Sequence, residues 1–206
     1  MKAKLDGWGE ATLAAFLTNT AHEIVTQTNL GGRTTYQNAG ATRRTGVEAS
    51  WTGTWFANRR AQFAATLLNA IYRDGFLSCT AVPCAAANVQ IPAGNRIRGI
   101  AGGSLFAALN WAPLVGLRAG VEASYMTGVF VNDTKSDVVP RCAVASASVG
   151  CLLPLCPWQL NGFVRGENLF DRRYAGSVIV NEGNSRFFEP APGRTWSAGL
   201  SAAMKF

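Results

Sequence analysis

The last twelve residues, Thr195 to Phe206, alternate almost without a break and end on an aromatic. Trp196, Ala198, Leu200, Ala202, Met204 and Phe206 fall on one face, while Thr195, Ser197, Gly199, Ser201, Ala203 and Lys205 fall on the other. Side chains of a strand point to opposite faces with a period of two, so this segment reads as a strand with one apolar face and one small or polar face. Such a strand needs an apolar medium on one side and water or polar groups on the other.

The same period recurs in about eight strand-like segments, each longer than the usual five or six residues. They cover roughly 8–24, 43–55, 60–72, 98–111, 117–131, 141–152, 158–171 and 195–206. Over 43–55, Val47, Ala49 and Trp51 oppose Glu48, Ser50 and Thr52; over 60–72, Phe63, Ala65 and Leu67 oppose Gln62, Ala64 and Thr66. The connections alternate in length. Short turns fall at 56–59, 112–116 and 153–157, with Pro154 and Pro157 bracketing the last, and long loops fall near 26–41, 73–97, 131–140 and 172–194.

Hydrophobic residues make up 48% of the chain and charged residues only 15%, below the quarter typical of soluble domains. Yet no stretch approaches the ~18 consecutive apolar residues of a transmembrane helix. Low charge, alternating strands, loops long on one side and short on the other, and a terminal aromatic together fit an antiparallel transmembrane β-barrel. Trp51, Trp55, Trp111, Trp158 and Trp196 fall near strand ends, where an interfacial girdle would place them. Arg44, Glu48, Arg118, Glu122, Arg165 and Glu167 belong to the polar faces. An Arg or Lys facing lipid at mid-depth costs ~2–4 kcal/mol, so these faces are expected to line a lumen.

The formal net charge of +7 comes from basic residues spread along the chain, with no basic stripe interleaved with aromatics, which argues against nucleic-acid binding. Cys79 and Cys84 sit in one Pro/Ala-rich loop. In an oxidising compartment they are expected to form a disulfide, the alternative being two reduced thiols. Cys142, Cys151 and Cys156 show no matching spacing, and with His22 as the sole histidine neither a metal site nor a cofactor is expected. His22 has no evident Ser/Asp partner either, so the chain does not read as an enzyme.

Two stretches carry a family resemblance. NLFDRRYAGSVIVNEGNSRFFEPAPGRTWSAGLSAAMKF, from Asn168 to the end, and HEIVTQTNLGGRTTYQNAGATRRTGVEASW, from His22, resemble TonB-dependent outer-membrane receptors of the siderophore type. The resemblance implies that residues 1–206 are the C-terminal part of a 22-stranded barrel, a class with a plugged lumen. It further implies location in the cell outer membrane and uptake of an iron–siderophore or similar metal chelate. The implied partners are outer-membrane lipid, the barrel assembly machinery, and TonB through a region N-terminal to this chain. No secretory signal, plug or TonB box is legible, so the expectation is a fragment unable to transport alone. The alternative is a free-standing eight-stranded barrel acting as a small porin or adhesin.

Within the motif, Asn168, Leu169, Phe170 and Asp171 read as a strand ending, because Asn and Asp side chains accept from freed backbone N–H groups. Glu189, Pro190, Pro192, Gly193 and Arg194 read as an extended approach to the last strand, since proline cannot donate to a central ladder. Phe206 is the expected C-terminal barrel signal. Substrate contacts in such a family come from the extracellular loops. The candidates are Tyr36, Arg73, Phe76, Arg186, Phe187 and Phe188, cations for an anionic chelate and aromatics to pack against it.

Overall fold

The computed structural model describes residues 1–55, 58–79, 84 and 86–204; the expected terminal signal Phe206 lies outside the described residues. In chain order the strands are β1 (Lys2–Leu5), β2 (Gly9–Thr20), β3 (Ile24–Leu30), β4 (Arg33–Asn38), β5 (Thr42–Trp55), β6 (Arg59–Tyr72), β7 (Phe76–Ser78) and β8 (Val89–Ile91). They continue with β9 (Gly103–Trp111), β10 (Gly116–Met126), β11 (Val129–Phe130), β12 (Val138–Val139), β13 (Cys142–Leu155), β14 (Trp158–Glu167), β15 (Ala175–Val178), β16 (Phe188–Pro190) and β17 (Thr195–Met204). Nine of them form one sheet in the order β1-β2-β5-β6-β9-β10-β13-β14-β17. Every pairing in it is antiparallel. The remaining eight form four two-stranded hairpins, one in each long connection.

The register keeps the two faces separate along the whole wall. Leu13 pairs with Ala49, Ala49 with Ala65, Ala65 with Leu105, Leu105 with Tyr125, and Tyr125 with Ala143. Three rows over, on the other face, Gln62 pairs with Ala108, Ala108 with Glu122, and Glu122 with Ser146. A slip of one residue in any pair would turn a charge toward the apolar side, so lipid on one face and water on the other fix the register. The apolar face is bare: Leu200 is 81% exposed and Leu67 68%. A surface of that extent is a membrane-contacting face. Trp111 and Trp158 stand on it at the short-turn end and Trp196 at the long-loop end, one aromatic belt for each interface.

Several charges of the polar face are paired. Arg165 bonds Glu122 and, at 3.1 Å, Glu167; Arg118 donates to the Pro113 carbonyl at 3.2 Å. Phe163, also on this face, covers Gly199 on the neighbouring strand, where a Cβ would collide with the ring. The aromatic shields backbone that a glycine leaves open.

The structure departs from the sequence reading at several points, and β2, β10 and β14 end at Thr20, Met126 and Glu167, short of the expected 24, 131 and 171. The sheet has nine strands rather than eight, because β1 pairs with β2 from Lys2↔Thr12 to Leu5↔Gly9. Its four residues are too few for a period to register. Pro154 lies inside β13, not at a turn; it pairs with Gln159 on one side, and on the other β10 has already ended at Gly116, opposite Leu152. A proline there costs no ladder bond. The 98–111 segment is shorter than expected, since β9 begins at Gly103 and Arg98 leaves the wall. The order ends in β1 and β17, which do not pair with each other among the described residues.

Candidate functional site: a cap of four welded loops

The four long connections all leave the wall from one end, and each folds back as a hairpin: β3–β4, β7–β8, β11–β12 and β15–β16. In the first, Gly31 and Gly32 make the two-residue turn with φ of 57° and 80°. Positive φ at both positions is the turn that matches strand twist, and glycine reaches it without steric cost.

A buried carboxylate holds the hairpins together. Asp133, 2% exposed, sits between β11 and β12. Its Oδ1 accepts from the Tyr72 hydroxyl at 3.0 Å and from the Arg98 guanidinium; its Oδ2 accepts from Asn181 Nδ2 at 2.9 Å and Ser78 Oγ at 3.4 Å. Arg98, also buried, donates to the Tyr72 oxygen at 2.7 Å and to the Thr26 carbonyl. Asn181 Nδ2 reaches the Thr26 carbonyl at 3.0 Å, and Asn95 Nδ2 the Asp133 carbonyl at 3.3 Å. Thr26, Arg98, Asp133 and Asn181 come from the four different long connections. A buried ion pair keeps its charges only when the remaining donors and acceptors are met, and this one nearly meets them: Arg98 Nε alone lacks a partner.

Apolar clusters flank the hub. Val25, Ala39, Ala70, Tyr72, Ile91 and Ile97 form one; Val129, Val131, Val139 and Phe187 form the other. Backbone pairing adds to the weld, with the Asn29 N–H donating to Asn181 O at 3.1 Å and Gly183 N–H to Asn29 O at 2.7 Å. At the base of the first loop, Arg44 bonds Glu23 at 2.8 Å, and that guanidinium hydrogen bond holds the Glu23 carboxyl below its ordinary range. A folded-state pKa below the unfolded one adds stability above the ordinary value of 4.5 and loses it as pH falls through the folded value. Limited proteolysis of the 21–41 loop should therefore rise below about pH 4.5 in the wild type, and Glu23→Gln should already cleave at the acid rate at neutral pH.

Beside the hub lies a cavity of about 400 Å³ lined by oxygen-bearing groups, among them Thr28, Asn132, Asp137, Glu182 and Ser185. Of the six substrate-contact candidates, Phe187 alone lines it. That residue is 7% exposed and packs with Val129, Val131 and Val139, so it belongs to the core of the cap. Phe188 projects outward from β16, with its ring 6.2 Å from that of Phe187. Phe76 is half-buried, edge-on to Tyr72 at 4.8 Å. Tyr36, Arg73 and Arg186 are exposed, on β4, before β7 and before β16.

The motif residues form a clasp under the fourth loop. Asn168, with φ 50°, donates to the carbonyls of Arg172 at 2.9 Å and Pro192 at 3.3 Å and accepts from the Arg172 N–H at 2.9 Å. Asp171 accepts from the Arg194 N–H at 2.8 Å across Gly193, and Arg194 reaches back to the Leu169 carbonyl at 3.4 Å. Phe170 is 73% exposed on the outside of the wall. Glu189 accepts from the Ser177 hydroxyl, and Pro190 sits opposite Ala175 in the two-stranded β15–β16 ladder. A disulfide joins Cys79 and Cys84, with Cα atoms 5.9 Å apart; Cys142, Cys151 and Cys156 are free thiols. No cluster of three or more His, Cys, Asp or Glu residues fit to hold a metal occurs among the described residues.

Sequence reasoning missed Arg98, Asp133 and Asn181. Arg98 falls inside the expected 98–111 strand, and Asp133 inside the long loop near 131–140. The usable signal was a charge on each of two loops that also carry valine and isoleucine.

The wall matches solved structures at low sequence identity. The siderophore receptor PiuA from Acinetobacter baumannii superposes with a TM-score of 0.73 at 20% identity, covering 98% of this chain and 26% of that one. The ferric-catecholate import receptor Fiu from E. coli K12, in its closed form, gives 0.69 at 20% identity over 100% and 26%. The ferric yersiniabactin uptake receptor FyuA from Yersinia pestis gives 0.70 at 18% identity over 100% and 28%. The chain thus spans about a quarter of the length of these receptors. The family model for the TonB dependent receptor-like β-barrel matches residues 3–200, and the chain belongs to that family of outer-membrane proteins.

Proposed function

We propose that residues 1–206 form the C-terminal wall of a 22-stranded barrel that takes up an iron chelate of the siderophore type with energy delivered through TonB. The observation that carries this reading is the cap: loops from four hairpins are locked together above a polar wall, giving exposed side chains such as Tyr36, Arg186 and Phe188 a fixed base. Binding groups held on a pre-formed frame lose little conformational freedom when a ligand arrives. The neighbours' names, a siderophore receptor and two ferric-chelate receptors, point the same way. A transport receptor needs no catalytic constellation, and no reaction is assigned.

The nine-stranded sheet supports a partial wall over a free-standing barrel. Closing an odd number of up-and-down strands forces one parallel seam, whereas single-chain bacterial barrels have even numbers. Nor can an open edge face lipid with its backbone groups unpaired.

Arg186→Ala combined with Phe188→Ala in the intact receptor should weaken ferric-chelate binding by about tenfold, the loss of a charge-assisted contact and an aromatic one. Fluorescence titration with a panel of ferric catecholates, hydroxamates and citrate measures it. Unchanged affinity for whichever chelate binds would remove these two residues from the site, and uptake that persists without TonB would remove the transport reading.

A further inference from the structure

A second groove, of about 660 Å³, lies on the opposite side of the wall from the lumen. Its floor is made by outward-facing residues of β9, β10 and β13, with Leu105, Ala107, Ala123, Tyr125, Ala143 and Ala145 in adjacent register. Small side chains there leave a trough where Leu and Val elsewhere make the face flush. The rim carries Arg141, Arg172 and Arg173, with the exposed Phe170 ring beside them. Arg141 closes the third loop and the other two belong to the fourth, so all three stand where the wall meets the cap.

These three arginines stand together over an apolar trough with their guanidinium groups unpaired. The described residues pair Arg44, Arg98 and Arg165 with carboxylates, but none of the three rim guanidinium groups has an ion-pair or side-chain hydrogen-bond partner. Lipid-facing arginine is tolerated near the interface and heavily penalised deeper. At the interface it can extend its head toward anionic groups while its stem lies on apolar surface. Guanidinium also matches phosphate in a two-pronged geometry that an ammonium lacks. The loop end of an outer-membrane barrel is its outer-leaflet end.

We propose that this groove is a binding site for a phosphorylated lipid of the outer leaflet, an acyl chain lying in the alanine-floored trough and phosphate bridged by Arg141, Arg172 and Arg173. The occupant is set by both halves of the site. Free phosphate would leave the trough empty, and an uncharged lipid would leave three cations facing its head group. The lipid would brace the third and fourth loops from outside, independently of any cargo bound within.

The test uses the intact receptor in phosphatidylcholine nanodiscs containing either bis-phosphorylated lipid A or the same lipid with its phosphates removed. Native mass spectrometry should retain the phosphorylated form in preference to the other by about tenfold or more, and the preference should vanish in R141Q/R172Q/R173Q. Ala145→Phe, which fills the trough and keeps every charge, should also abolish retention; it serves as the second variant should the triple substitution not fold. Equal retention of the two lipids, retention unaffected by either variant, or full displacement by millimolar inorganic phosphate would each overturn the proposal. None of these readouts involves chelate binding, so the site stands or falls separately from the uptake function.

Discussion

Asp133→Ala is expected to loosen the whole cap, at a local cost of ~3–5 kcal/mol, while the wall stays intact. The substitution removes the counter-charge of Arg98, whose side chain is 3% exposed and cannot reach water without the loops opening. It also orphans the hydroxyl donors of Tyr72 and Ser78, both buried, and removes one of the acceptors of Asn181. Because the carboxylate serves residues from separate loops, the loss should propagate. Hydrogen exchange of the intact receptor should speed up together over 21–41, 73–102, 127–141 and 168–194, with the strand amides protected as before. Faster exchange confined to 127–141 would mean that the loops are independent. Replacing both partners, as Asp133→Leu with Arg98→Met, should cost less than Asp133→Ala alone, since no charge is then stranded.

Val121→Arg should cost ~2–4 kcal/mol, comparable to losing the hub, although Val121 makes no specific bond. It is the central residue of β10, 54% exposed on the apolar face, and a guanidinium there would sit at mid-depth in hydrocarbon. Ser146→Arg, one row over and opposite Glu122, places the same group on the lumen face and should be nearly neutral. Denaturant unfolding from lipid vesicles compares the two. Equal costs would show that the face carrying Val121 does not contact lipid.

The wall was legible because its signal is local. Alternation, loop length and tryptophans near strand ends are all read within one or two strands, and the expected faces of 43–55 and 60–72 are those observed. The first strand escaped because Lys2–Leu5 is shorter than the window that a period needs. The cap escaped for a different reason. The bond from Asn181 to Thr26 joins residues 155 apart, and that from Arg98 to Thr26 joins residues 72 apart. Nothing in either neighbourhood announces the other. Phe187 shows the same limit from the opposite side: an aromatic in a long loop reads as a contact residue, and only the packing of Val129, Val131 and Val139 around it makes it a core residue.

The hub also decides where this surface has room to change. Its bonds reach into the connecting loops of the β11–β12 and β15–β16 hairpins but leave the β3–β4 tip outside. At Gly31 and Gly32 an added side chain would meet nothing within 4 Å. A tip of that kind can be lengthened or rewritten without disturbing the Arg98–Asp133 pair, whereas a change at 131–133 is felt in every loop. That part of the outer surface, which anything probing the cell can touch, is therefore free to vary in shape while the frame beneath it stays the same.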